Sequence, residues 1–438
     1  MKVFKFGGTS VGSPENMRSV MQIITDGEPK IVVLSAMSGT TNALVEISNQ
    51  LYDNKKDEAK NSIASLKAKY DEVIQDLYTT PEFKEKGQAV VEAQFAVLAN
   101  QVDGDFNTVK EQINLAQGEL ISTALVTYLL QENGYNAALL PALDFMRIDE
   151  NKQADIKAIT ELVKPVIKNA GEQDIYITQG FICRNAEGDI DNLQRGGSDY
   201  TATLLGAAIQ SEEVQIWTDI DGIHNNDPRF VDKTKRIDNL LFVEAAELAY
   251  FGAKILHPLT VLPAKQANIP VRLKNTMNPS DPGTLISNDK TISGLKAVAA
   301  KDNITAIKIR SDRMLMAYGF LRSVFEVFEK YKTSIDMITT SEVAISLTID
   351  NNKKLELILE ELKTIGDVEV DTNQTIVCVV GDMISEEKVF SKQVFEALDG
   401  IPVRMISYGG SRYNISILIN SEYKKETLQK LSSHLFNN

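Results

Sequence analysis

Brief runs of consecutive apolar residues, too short for helices, punctuate the first two thirds of the chain and are read as buried strands. The first two lie at 2–6 and 30–35. Between them residues 13–25 carry a helix opened by Ser13-Pro14-Glu15, an N-cap followed by proline in the first turn. Strand, helix and strand at this spacing predict a parallel sheet with a crossover. Residues 43–101 then place apolar side chains three and four apart (Ile63, Leu66, Tyr70, Val73, Ile74, Leu77). That is the pattern of two helices, broken near Thr79-Thr80-Pro81. A further helix runs from Leu115 through Leu130 to a C-cap signal at Asn133-Gly134. Strands at 137–141, 174–179, 214–218 and 271–274 alternate with helices at 155–169, 201–209, 243–252 and 258–268. The prediction is one open α/β sandwich, and such sheets bind ligands beyond the carboxyl ends of their strands.

Near 288–294 the sequence turns polar and the period changes. Strand 304–310, helix 319–331, strands 334–339 and 343–349, helix 353–364 and strand 367–371 make one βαββαβ round. A second occupies 375–381, 386–398, 401–407, 413–419 and 423–435, without its last strand. Residues 295–299 are placed to supply that strand from outside. Two intertwined ferredoxin-like modules are therefore predicted, the first inserted into the second. The expected division is an α/β domain at 1–290, a first module at 304–372, and a second built from 295–303 plus 373–438.

Composition narrows the setting. A chain of 438 residues exceeds the size of one hydrophobic core. Its net charge of −14 argues against nucleic acid and anionic membrane as partners. No signal peptide and no apolar run of membrane-spanning length is present, so a cytoplasmic protein is expected. Cys183 and Cys378 are too few for a disulfide scaffold. With only His224, His257 and His434, no metal-ligating set is assigned.

Two glycine loops are candidates for chemistry. Lys5-Phe6-Gly7-Gly8-Thr9-Ser10 ends a strand in a turn whose backbone can approach an anion closely, with Lys5 placed to aim an ammonium at it. Arg195-Gly196-Gly197-Ser198-Asp199 repeats that logic just ahead of a helix, whose N-terminus favours a phosphate or carboxylate. Asp199 is either a helix cap or a working carboxylate. Arg195 is either a solvated charge or a bidentate clamp. Glu119, beside Gly118 in an apolar helix, sits on an exposed face or points into a cleft. Thr218-Asp219 and the downstream His224 and Arg229 form a simple loop or bound a nucleotide. Lys254, in Gly-Ala-Lys-Ile-Leu-His-Pro, is equally explained by a helix C-terminus.

Taken together and in order, these clusters resemble the aspartokinases over the whole chain. The resemblance implies an amino-acid kinase-like α/β/α sandwich followed by two intertwined ferredoxin-like ACT domains. The implied reaction uses ATP and Mg²⁺ to phosphorylate the β-carboxylate of L-aspartate, opening lysine, threonine and methionine synthesis. Lys5 and Asp199 become catalytic. Ser35, Thr41, Glu119, Phe181, Arg195 and Ser198 would line the aspartate pocket. Lys5, Gly7, Gly8, Thr218, Asp219, His224, Arg229 and Lys254 would hold the nucleotide. Two departures stand out: His224 where relatives usually carry tyrosine, and Met37 where they often have a smaller residue. No fused homoserine dehydrogenase is expected, since Asn438 follows directly on the second module.

Lysine-sensitive relatives bind lysine at the interface of paired ACT domains. The resemblance assigns that role here to Met314, Gly319, Phe320 and Leu321, and to the segment Ser334, Ile335, Asp336, Thr340, Ser341 and Glu342. Ala317 replaces a serine contact. The alternative reading of Thr340-Ser341-Glu342 is a tight turn between strands. A homodimer or tetramer through the ACT domains is expected. Rival readings are a kinase of the same fold for another amino acid or carbamate, and a sensor of amino acids without activity.

Overall fold

The structure, a computed structural model, describes residues 1–193, 196–252, 256–289, 294–311, 318–382 and 390–436. They divide into two compact units, one of residues 1–222 with 256–288 and another of 223–255 with 289–438.

In the first unit the sheet runs in the order Ala137–Leu140, Ile175–Gln179, Lys30–Leu34, Lys2–Phe6, Val214–Thr218, Val271–Asn275, Thr284–Ser287. All neighbours are parallel except the last pair, which is antiparallel. Every residue of Lys30–Leu34 and Ile175–Gln179 is buried. That is why these stretches read as continuous apolar runs and not as alternating ones. Phe6 stacks on Trp217 across the centre of the sheet, with ring centroids 5.6 Å apart. Helix Thr108–Glu132 runs along Ala137–Leu140 and Ile175–Gln179, while Gly197–Ile209 lies on Lys2–Phe6 and packs against Ile156–Asn169.

Several elements differ from expectation for local reasons. Residues 43–101 form three helices, Thr40–Tyr52, Lys56–Leu77 and Pro81–Asn100, where two were expected. The extra break falls at Asn54, whose φ of 57° is left-handed, a conformation asparagine tolerates. The helix expected from Leu115 begins at Thr108, because Asn107 accepts the Lys110 N–H at 3.0 Å and caps it. A small hairpin, Ile182–Arg184 with Ile190–Asn192, follows Phe181 and was not anticipated. The helix expected at 258–268 is a 3₁₀ turn, Pro258–Val261, then Leu262–Gln266, its start broken by two prolines.

The second unit holds one six-stranded antiparallel sheet in the order Ile338–Thr340, Ala344–Ile349, Leu295–Arg310, Asp367–Gly381, Asn414–Asn420, Val403–Tyr408. The intertwining is stronger than the sequence implied. The stretches read as 295–299 and 304–310 are one 16-residue strand, and 367–371 and 375–381 are one strand of 15. Asn303 and Asn373, both left-handed at φ 60°, lie where the two rounds meet. The expected strand 334–339 pairs only at Ile338–Thr340. One half of the core gathers Val377, Val379, Val394, Ile415 and Leu428, the other Ile307, Val324, Phe328, Leu347 and Ile358.

Residues 223–255, expected within the first domain, fall with the second unit. The Val298 N–H donates to the Asn225 carbonyl at 2.9 Å, and Asn226 Nδ2 donates to the Leu428 carbonyl at 3.2 Å. Val231 joins the core half around Val377, with Phe230 packed against it.

Candidate active site

The first unit brings its glycine loops together at the carboxyl end of the central strand. Lys5 stands in that strand, opposite Val33 on one side and Ile216 on the other. Its ammonium lies 2.8 Å from Asp199 Oδ1, with both side chains more than four-fifths buried. Gly196, left-handed at φ 73°, starts the helix Gly197–Ile209 with no side-chain cap, so Asp199 sits in the first turn as the partner of Lys5 and not as a cap. Helix formation thus begins four residues before Thr201, and Gly197, Ser198 and Asp199 all ride on it.

Close approach explains the glycines. A Cβ on Gly8 would stand 2.9 Å from the Ala36 carbonyl oxygen, and one on Gly180 would stand 2.4 Å from Ser198 Oγ. The loop after the second strand is thereby locked to both glycine loops. Ser38 N–H donates to the Gly8 carbonyl at 3.1 Å, and the Ser35 hydroxyl donates to Ser198 Oγ at 2.9 Å. Phe181 takes a left-handed φ of 68°, held by its N–H donating to Thr201 Oγ1 at 3.0 Å.

Glu119 is buried, which settles its open reading against the exposed face. A Cβ on Gly118 would come 2.7 Å from Ala36 Cβ, so the helix runs tight against the loop. Glu119 Oε1 accepts the Ala36 N–H at 3.1 Å, while Oε2 is buried without a hydrogen-bond partner among the described residues. Burial pushes its carboxyl up to about 7, only partly opposed by the Ala36 N–H. One oxygen of this buried carboxyl is thus left without a donor.

The remaining expected residues are distributed as follows. Thr41 is exposed in the first turn of Thr40–Tyr52, while Thr40 is buried and shares a 2.8 Å hydrogen bond with Tyr70. Thr218 Oγ1 donates to Asp219 at 3.0 Å, and Asp219 lines a pocket of about 500 Å³ with Thr9, Ser10, Glu15 and Thr276. Two expected nucleotide residues belong to the second unit. There His224 Nδ1 bonds Thr234 Oγ1 at 2.7 Å, and Arg229 chelates Asp227, the nearest contact being 2.6 Å. Arg195, Lys254, Met314 and Ala317 lie outside the described residues. Met37 is buried in the core, so its side chain is packing. Cys183 and Cys378 are both buried and free.

Sequence reading missed Lys69, whose ammonium donates to the Ser38 carbonyl at 3.0 Å. It sits on the polar stripe of an amphipathic helix and carries no sequence signal. Thr201, which orders Phe181, was read only as a helix residue.

In the second unit Gly319, left-handed at φ 88°, starts the helix Phe320–Lys330. Leu321, Ser334, Thr340, Ser341 and Glu342 are exposed, and Phe320 and Ile335 half-buried. Ser341 N–H donates to the Ala344 carbonyl at 2.8 Å, so the tight turn between strands is real. Asp336 differs from its neighbours: its side chain is only 1% exposed.

Glycine loops gathered around a paired lysine and aspartate at the end of a parallel strand form the frame of this site. The amino acid kinase family matches residues 1–275 and an ACT domain matches residues 377–435, and the chain belongs to that family. Within it the chain is similar to lysine-sensitive aspartokinase 3 of Escherichia coli, 35% identical over 99% of both chains, and to chloroplastic aspartokinase 3 of Arabidopsis thaliana, 34% identical over 99% of this chain and 81% of that one. Solved structures of E. coli aspartokinase III, with aspartate and ADP and with lysine and aspartate, match all of this chain. They cover 100% and 99% of those chains at 34% identity, with TM-scores of 0.82 and 0.83. The chain is an aspartokinase.

Proposed function

We propose that the Lys5–Asp199 pair is the catalytic centre for transfer of the ATP γ-phosphoryl group to the β-carboxylate of L-aspartate. The observation carrying this reading is the connected network at the end of the central strand. Lys5 pairs with Asp199, the neighbouring Ser198 bonds Ser35, and the adjacent Ala36 N–H bonds Glu119. The β-carboxylate is already a competent nucleophile, so the protein contributes positioning and charge neutralisation. Lys5 meets charge developing on the transferred group, and Asp199 fixes its ammonium in place. Glu119 takes the substrate ammonium on its idle oxygen. Arg195 clamps the α-carboxylate, while Ser35, Thr41, Phe181 and Ser198 shape the pocket.

Gly7 and Gly8 open the backbone to the phosphates, with Thr218, Asp219, His224, Arg229 and Lys254 as the remaining nucleotide contacts. Among the described residues no cluster of three His, Cys, Asp or Glu is built to hold a metal. Mg²⁺ is placed in this reading on the nucleotide phosphates with waters, the usual mode for this ion. When bound there, it neutralises phosphate charge. Lysine acts as feedback inhibitor at the ACT half, through Asp336 and the residues around it. A cytoplasmic homodimer or tetramer joined through that half completes the reading. Among the described residues no helix is long and apolar enough to cross a membrane.

The test is ADP release with ATP, Mg²⁺ and L-aspartate, with and without lysine. Aspartate-dependent turnover is expected, inhibited by lysine. A protein that binds amino acids yet releases no ADP would overturn the kinase reading.

A further inference from the structure

Asp336 sits in a cluster that the effector reading does not explain. Tyr250, the last residue of helix Phe242–Tyr250, donates its hydroxyl to Asp336 Oδ1 at 2.6 Å. Lys301, in the long shared strand, places its ammonium 2.9 Å from the same oxygen and 2.9 Å from Asp350 Oδ2. The Lys301 ammonium also lies 4.3 Å from the Tyr250 ring centroid, a cation–π contact. Backbone holds the carboxylate from behind, since Asp336 N–H donates to the Thr348 carbonyl at 2.9 Å. Two donors therefore converge on Oδ1. The other oxygen, Oδ2, is buried and has no hydrogen-bond partner among the described residues.

A buried carboxylate oxygen left unpaired is costly, and a ligand donor would relieve it. Charge points to the sign of that donor. Asp336 and Asp350 carry two negative charges against the single positive charge of Lys301, and burial together with the neighbouring carboxylates holds Tyr250 neutral by pushing its hydroxyl up. The charge balance of the group favours one more cation.

We infer that Tyr250 is a positioning residue of an amine subsite: with Lys301 it pins one oxygen of Asp336, so that the other is presented to the primary ammonium of an amino-acid effector. This rests on the effector reading above and extends it to a residue outside the segments that the sequence singled out. It also ties effector binding to the helix Phe242–Tyr250. Tyr250 touches no substrate in this reading. It acts through Asp336.

Titration calorimetry of the full-length protein with L-lysine, beside lysine inhibition of ADP release, tests the inference. For Tyr250→Phe, which keeps the ring and removes only the hydroxyl, the lysine Kd and inhibition constant are expected to rise about tenfold. Uninhibited kcat and the KM for aspartate should stay within error, with only a small fall in melting temperature from the lost hydrogen bond, whereas a general loosening of the fold would move all three. Asp336→Asn should abolish lysine binding. Unchanged lysine affinity in Tyr250→Phe, with wild-type protein binding normally, overturns this inference alone. Absence of lysine binding to the wild type overturns the effector reading and this inference with it. Tighter binding in Tyr250→Phe would mean that the hydroxyl competes with the effector, and would also overturn it.

Discussion

At the scale of single residues, the site sets ionisation against burial. Lys5 and Asp199 pair where some solvent still reaches them, with side chains 13% and 17% exposed. Replacing Lys5 by alanine is expected to lower kcat by about 10²–10³-fold, the size typical of removing one transition-state charge donor, with some loss of stability from the Asp199 carboxylate left unpaired. Steady-state ADP release beside a thermal melt checks both halves of that expectation. Glu119 gives a pH signature. In the free protein its carboxyl is raised to about 7, so below that pH an aspartate ammonium must displace a proton to bind. The KM for aspartate is expected to climb about tenfold per pH unit below 7 and to flatten above it. Stability carries the opposite sign from a salt-bridged carboxylate. Between the ordinary glutamate range and pH 7 the folded state holds more protons than the unfolded one, so this group's contribution to stability falls as pH rises through that window. Glu119→Gln should remove both slopes, and a flat KM in the wild type would remove the reason to place the substrate ammonium there.

At the scale of elements, the glycines mark where loops and helices meet. Gly180→Ala drives a Cβ to 2.4 Å from Ser198 Oγ and 2.9 Å from its Cα, at the first turn of the helix that carries Asp199. The helix start must shift. The variant is expected to lose about 1–3 kcal/mol of stability and to raise the KM for aspartate more than it lowers expression. Melting curves and substrate titrations distinguish this from a local side-chain effect, because Ser198→Ala alone should leave stability unchanged. These loops were legible beforehand because glycine pairs beside lysine or aspartate leave a local signature. Short continuous apolar runs set between helical periods likewise disclosed the parallel sheet and both βαββαβ rounds. That Asp199 meets Lys5 followed from the family resemblance and not from local pattern, since 194 residues separate the two and only the fold brings them together. Burial of Glu119 stayed open in the residue pattern for a related reason. One carboxylate in an apolar helix reads as an exposed face, and only the tight packing of Gly118 on Ala36 turns it inward. Lys69 and Tyr250 lie on helix stripes where periodicity says nothing about the end of a long side chain.

At the scale of the whole molecule, the sequence order and the compact units disagree over residues 223–255, and the disagreement has physical content. Apolar patterning alone assigns this stretch to the first domain, because it follows a strand of that sheet. Several of its side-chain and backbone ties nonetheless lie within the second unit. Beyond the backbone ties of Asn225 and Asn226, Glu247 accepts from Ser411 Oγ at 2.9 Å and also bonds Asn414 Nδ2, at the edge of the strand Asn414–Asn420. Gly252 lies so close to Ala300 that a Cβ would stand 2.2 Å from its carbonyl oxygen. Because Leu295–Arg310 and Asp367–Gly381 pass uninterrupted through both βαββαβ rounds, the two rounds cannot open separately without breaking continuous strands. The regulatory half and residues 223–255 should then exchange amide hydrogens as one cooperative unit. Val231→Ala removes two buried methyls from the core half around Val377 and Ile417, at a cost of roughly 2 kcal/mol. Native-state hydrogen exchange is expected to show equal losses of protection in Asn414–Asn420, Ala344–Ile349 and Phe242–Tyr250, with Lys2–Phe6 and Lys30–Leu34 unaffected. If protection in Phe242–Tyr250 instead followed the parallel sheet, residues 223–255 would belong energetically to the catalytic half, and effector binding at Asp336 would lose its direct hold on that helix.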